Sequence, residues 1–104
     1  MDHKAFIDAN RERFLDELMQ WLRIPSVSSD PNSKEAMAQA AEYLKNRFIE
    51  QGVDKVEIYP TEGHPIVYAE KITDPSKPTV LVYGHYDVQP PDPLDLWDSP
   101  PFEP

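Results

Sequence analysis

Proline placement limits this chain more than any other feature. A proline removes one backbone donor and pushes the residue before it out of the helical region, so regular elements end at prolines. Twelve prolines stand among 104 residues, against only three glycines. That is about twice the usual proline share of roughly 5%. Six of the twelve fall in the last twenty residues, so regular structure is expected before that stretch and a loop within it.

Upstream, the hydrophobic period gives the elements. Ile7, Phe14, Leu18, Trp21 and Leu22 recur at helical spacing, which predicts a helix from about Ala5 to Arg23, ended by Pro25. A polar connection runs from Ser26 to Pro31. Asn32 then offers an N-cap with Glu35 in capping-box position. The second helix carries Met37, Ala40, Ala41, Leu44 and Phe48 on one face, and Gly52 is a natural stop. After Gly52 the period becomes alternating. Val53, Val56, Ile58 and Tyr59 suggest a first strand closed by Pro60, and Ile66 to Glu70 a second, paired antiparallel with it. Thr79 to Gly84 is expected as a third strand, apolar on both faces as central strands are. The fold class is therefore α/β, in the order helix-helix-strand-strand-strand. Such an arrangement leaves a sheet edge and face uncovered, so residues 1–104 are expected to be the N-terminal part of a longer domain.

Charge narrows the partners. Nineteen acidic residues face ten basic ones, for a net charge of −9. More than half of the excess lies after Gly84, where there are five acids and no base. This balance argues against nucleic acid and against an anionic membrane surface, which need clustered positive charge. With no cysteine there is no disulfide and no thiolate metal site, so any zinc must be held by histidine and carboxylates. The longest aliphatic or aromatic run is Val80-Leu81-Val82-Tyr83, far short of the ~20 residues that span a bilayer. A soluble, cytoplasmic protein is expected.

The chemistry concentrates in Tyr83-Gly84-His85-Tyr86-Asp87-Val88-Gln89-Pro90. A histidine just beyond the end of a buried strand sits where open α/β sheets place ligand-contacting groups. His85 and Asp87, two apart in extended backbone, point to one side. A metal-bound imidazole commonly passes its other N–H to a carboxylate, so His85 suits a ligand and Asp87 its orienting partner. A strand-end histidine satisfied by a neighbouring aspartate explains the same pair without a metal. Asp92, Asp95, Asp98 and Glu103 lie in a solvated, proline-rich loop and make poor ligands. His3 and His64 are expected as surface residues. Ser26, Ser28 and Ser29 lack the strand-turn-helix elbow of a nucleophile and are expected as polar loop residues. Trp97 and Phe102 are expected as loop anchors.

The stretch from Val82 to Pro90, followed by Trp97 and Pro100-Pro101-Phe102, closely resembles the first metal motif of the zinc dipeptidase, aminoacylase and glutamate-carboxypeptidase family. Leu22-Arg23-Ile24-Pro25-Ser26-Val27-Ser28 matches the helix-ending motif near the start of that family, and the order of elements between the two agrees. The resemblance implies that His85 is the histidine ligand of one zinc in a two-zinc site. It implies that Asp87 is the aspartate that supports this histidine and is needed for activity. The general-base glutamate, the remaining ligands and a smaller dimerisation domain would follow beyond residue 104. Tyr86 and the Gln89 to Leu94 continuation are similar to the carnosinase-like dipeptidase branch. The resemblance thus implies a homodimeric parent that hydrolyses dipeptides or short peptides by metal-activated water, with the isolated chain inactive. Alternatives are an amidohydrolase of aminoacylase or desuccinylase type, a degenerate member used for binding, and a non-catalytic fragment that self-associates.

Overall fold

The computed structural model describes residues 1–104. The chain folds as two units, one formed by residues 1–24 with 91–104, the other by residues 25–90.

In the first unit two helices follow each other, α1 (His3–Ala9) and α2 (Arg11–Leu22). Asp2 caps α1, its carboxylate accepting from the backbone N–H of Lys4 at 2.9 Å and of Ala5 at 3.3 Å. The single helix expected from about Ala5 to Arg23 is interrupted at Asn10. The Asn10 amide donates to the Phe6 carbonyl at 2.9 Å, and its side-chain oxygen accepts from the Arg13 guanidinium. A short polar side chain that bonds nearby backbone competes with the helical ladder, which explains the break. Phe6 and Phe14 still meet across it, ring centroids 6.0 Å apart. In the same unit a short 3-10 turn, Leu94–Leu96, precedes Trp97, whose indole N–H donates to the Pro91 carbonyl at 2.9 Å. Trp97 anchors its own loop by this bond and stays half exposed.

The second unit holds the core. Helix α3 (Lys34–Glu50) packs on an antiparallel hairpin of β1 (Lys55–Tyr59) and β2 (Ile66–Glu70). The buried apolar residues are Val27, Met37, Ala40 and Ala41. Three of these share the predicted face of α3, where two alanines allow close approach to the sheet. Full burial of a methionine stabilises by about 1.5–3 kcal/mol, so Met37 anchors this small core. Register pairs Val56 with Ala69 and Ile58 with Val67, all half-buried, while Lys55, Glu57, Tyr59, Ile66, Tyr68 and Glu70 make the opposite pairs.

The start of α3 differs from expectation. Ser33, not Asn32, occupies the cap and makes no side-chain capping bond. Pro31 opens a 3-10 turn that Asp30 caps, by accepting from the Asn32 backbone N–H at 2.9 Å. The helix end is as expected. Gly52 lies at φ +73°, its N–H bonds to the Ile49 carbonyl, and the Val53 N–H bonds to Phe48. This pairing of C′ and C″ donors needs a left-handed residue, which glycine adopts without a Cβ penalty.

The third strand, expected over Thr79 to Gly84, is not formed. The sheet has two strands only, and no residue of 79–84 pairs with another strand. Val80, Leu81, Val82 and Tyr83 are between 82 and 91% exposed. A strand apolar on both faces exists by being paired and covered, and this chain supplies neither partner nor cover for it.

Candidate metal centre

The candidate site lies in the second unit, where residues 26–28 run beside residues 86–88. Val27 and Val88 form an isolated parallel bridge. The Val88 N–H donates to the Ser26 carbonyl at 2.9 Å, and the Ser26 hydroxyl donates to the Tyr86 carbonyl at 3.1 Å. Ser26 is 1% exposed, and Val27 beside it is buried. The polar connection after α2 is therefore a ledge on which the loop carrying His85 rests.

On this ledge His85 and Asp87 meet as the spacing predicts. His85 Nδ1 is 2.9 Å from Asp87 Oδ1 and 3.1 Å from the Asp87 carbonyl oxygen. Both partners are acceptors, so Nδ1 carries the proton and donates to them. In the neutral ring this leaves the lone pair on Nε2. The His85 side chain is 78% exposed, so that lone pair is accessible. The other carboxylate oxygen, Asp87 Oδ2, accepts from the Ser28 hydroxyl at 2.5 Å. The Ser28 bond, aided by His85, holds the Asp87 carboxyl below its ordinary value, against an opposing effect of partial burial. The sign follows: stability from these bonds is present above the unfolded-state value and is lost as pH falls through the folded one.

Two further side chains fix the ledge. His64 Nε2 lies 2.8 Å from the Ser28 carbonyl, so it donates there. The Tyr86 hydroxyl donates to the Pro65 carbonyl at 2.6 Å, and burial raises its pKa. The turn between β1 and β2 thus grips both sides of the loop. His64, expected at the surface, is half-buried and tied in, because the Gly63-His64-Pro65 turn folds toward Ser28. Ser26 and Ser28, expected as polar loop residues, make specific bonds to the His85 loop. The available signal was their place in the Leu22 to Ser28 motif, which does not say what either hydroxyl bonds.

The donor chemistry fits one metal ligand: an exposed imidazole nitrogen whose ring is oriented by a carboxylate held ionised. It does not fit a whole centre, since no group of three or more histidine, aspartate or glutamate side chains comes together. Asp92, Asp95, Asp98 and Glu103 belong to the first unit.

No family model matches the chain. Individual relatives do. The chain is 33% identical over 109 residues to the Cys-Gly metallodipeptidase DUG1 of Saccharomyces cerevisiae, covering 93% of this chain and 23% of that protein. It is 34% identical over 111 residues to the Beta-Ala-His dipeptidase of Mus musculus, covering 93% and 22%. The solved structure of the di-peptidase Dug1p from Saccharomyces cerevisiae superposes with a TM-score of 0.84 at 32% identity, over 93% of this chain and 22% of that one. The chain therefore spans under a quarter of the length of these relatives. Over the residues it spans, the chain belongs to the metallodipeptidase family that includes the Cys-Gly metallodipeptidases and the Beta-Ala-His, carnosinase-like dipeptidases.

Proposed function

We propose that residues 1–104 are the N-terminal portion of the catalytic domain of a zinc dipeptidase, with His85 a zinc ligand through Nε2 and Asp87 its orienting partner. The observation that carries this reading is the proton assignment at His85: Nδ1 donates to Asp87, which leaves Nε2 as the donor atom. Zinc, when bound, lowers the pKa of a coordinated water and polarises the peptide carbonyl. The chain's own contribution is to hold one imidazole in the right tautomer, with Asp87 accepting its proton-bearing side. A catalytic zinc takes about three protein ligands, so the other ligands and the general base belong to the rest of the parent. So does the dimerisation domain of a homodimeric, cytoplasmic enzyme. Dipeptides are the proposed substrates because the relatives' names describe dipeptidases. Tyr86 and the Gln89 to Leu94 continuation favour that branch over aminoacylase or desuccinylase chemistry.

The test is hydrolysis of Cys-Gly and β-alanyl-histidine by the full-length parent with added zinc. Activity is expected in the parent, is lost in His85→Ala, and is absent from the 104-residue chain alone. Retained activity in His85→Ala would sink the ligand assignment. Turnover by the isolated chain would show that it is not a partial site.

A second reading concerns the isolated chain and rests on the four exposed apolar residues from Val80 to Tyr83. An extended segment with unused backbone donors and acceptors is a template for pairing with another copy of itself. The isolated chain is proposed to self-associate through it.

A further inference from the structure

We infer that Ser28 is a positioning residue that sets the tautomer of His85 by acting through Asp87. The inference deepens the zinc-ligand reading of His85 and rests on it only for its functional consequence; the tautomer itself can be read without a metal.

The geometry forms a directed chain. The Ser28 hydroxyl donates to Asp87 Oδ2 at 2.5 Å. Asp87 Oδ1 accepts from His85 Nδ1 at 2.9 Å. A carboxylate has two oxygens, and here each has one donor, so the group cannot rotate without breaking one of the two bonds. A single bond to His85 would leave that rotation open, because His85 is 78% exposed and the only other hold on its ring is the Asp87 backbone carbonyl, 3.1 Å from Nδ1, which does not fix the carboxylate. Ser28 thus supplies the second point that a planar carboxylate needs to present Oδ1 to Nδ1. Bonds between a hydroxyl and an ionised carboxylate are among the stronger protein hydrogen bonds.

Ser28 can do this because its own backbone is held. His64 Nε2 donates to the Ser28 carbonyl at 2.8 Å. Two residues earlier, Ser26 is buried and bonded to both Tyr86 and Val88. The register of residues 26–28 against 86–88 therefore brings the Ser28 hydroxyl to Asp87 without relying on the mobility of an exposed side chain. A hydroxyl is required at this position, and a small one, since the bond spans two backbones that already touch through the Val27 and Val88 bridge. Ser26 serves the backbone of the loop, whereas Ser28 serves the side chain that orients the imidazole.

The experiment reads the ring nitrogens of His85 directly, by two-bond proton–nitrogen correlation spectra of the 104-residue chain with neutral imidazole. The unmutated chain is expected to show the Nδ1–H form. Ser28→Ala is expected to move the His85 signals toward the Nε2–H form that free imidazole side chains prefer, and Ser28→Thr to restore them. Where Ser28→Ala does not keep the folded amide spectrum, Ser28→Cys is read in its place, similar in size but a much weaker donor, with the same shift expected. In the parent, Ser28→Ala is expected to weaken zinc binding by about 10–100-fold, as loss of an outer-shell partner does, with Ser28→Thr recovering most of it. Unchanged His85 signals in folded Ser28→Ala or Ser28→Cys would overturn the inference, and so would a failure of folded Ser28→Thr to restore them. A tautomer shift together with a parent whose His85→Ala variant stays active would uphold the role of Ser28 and reject the zinc-ligand reading instead.

Discussion

At the scale of single residues, the site depends on where one proton sits. Asp87 accepts the Nδ1 proton of His85 because its carboxyl stays ionised, held so mainly by the Ser28 hydroxyl. An asparagine there keeps the shape but brings an amide N–H that can face Nδ1 and force the opposite tautomer. Asp87→Asn in the parent is therefore expected to lower kcat/KM for dipeptides by about 10–100-fold, the usual cost of an outer-shell partner. Steady-state kinetics check this, and an unchanged value would remove Asp87 from the machinery. His85 and Asp87 were legible in the sequence because two residues at spacing two in extended chain must share a side. Ser26 and Ser28 were not, since their bonds join segments some sixty residues apart, and neither was His64, which reaches Ser28 across 36 residues. No local pattern encodes such a meeting.

At the scale of elements, α3 and the hairpin follow from periodicity and from Gly52, while the differences sit where polar side chains compete with the backbone. Asn10 splits the first helix by bonding Phe6, and Asp30 caps a 3-10 turn ahead of α3, so that the α3 cap falls on Ser33 and not on Asn32. Both are short-range choices between equally good partners, which periodicity does not decide. The outer pairs of the hairpin make a pH-dependent prediction. Tyr68 donates to Glu70 at 2.5 Å, and its ring meets Tyr59 at 6.2 Å. The Glu70 bond raises the Tyr68 pKa above its ordinary value, and Glu57 raises that of Tyr59. A phenol raised on folding contributes stability that is fully present below the unfolded value of about 10 and is lost as pH rises through the folded value. Ultraviolet titration of tyrosinate is expected to show the two hairpin tyrosines ionising late, and Glu70→Gln to bring Tyr68 earlier. A Tyr68 titration indifferent to Glu70→Gln would contradict the assignment.

At the scale of the whole molecule, the chain has a small core and a conspicuous uncovered segment. Residues 79–84 have the composition of a central strand and the exposure of a loop. A strand was expected there because a run such as Val80 to Tyr83 suits burial on two faces, and none forms. That nothing here pairs with them could not be read from the run itself, since pairing depends on partners outside it. The isolated chain is expected to sediment as a concentration-dependent oligomer, and Val82→Lys to shift it toward monomer by placing a charge in the pairing segment. Monomeric behaviour of the unmutated chain at high concentration would reject the pairing. The acidic, proline-rich stretch after Gly84 gains a sense from the same scale: it leaves the candidate ligand rather than building another element. The most direct test of His85 as a ligand is the zinc content of the full-length parent beside its His85→Ala variant, measured by elemental analysis of the purified proteins. The variant is expected to lose one ion from each subunit along with dipeptide hydrolysis, while keeping its fold. An unchanged zinc content in the variant would contradict the claim that His85 holds the metal.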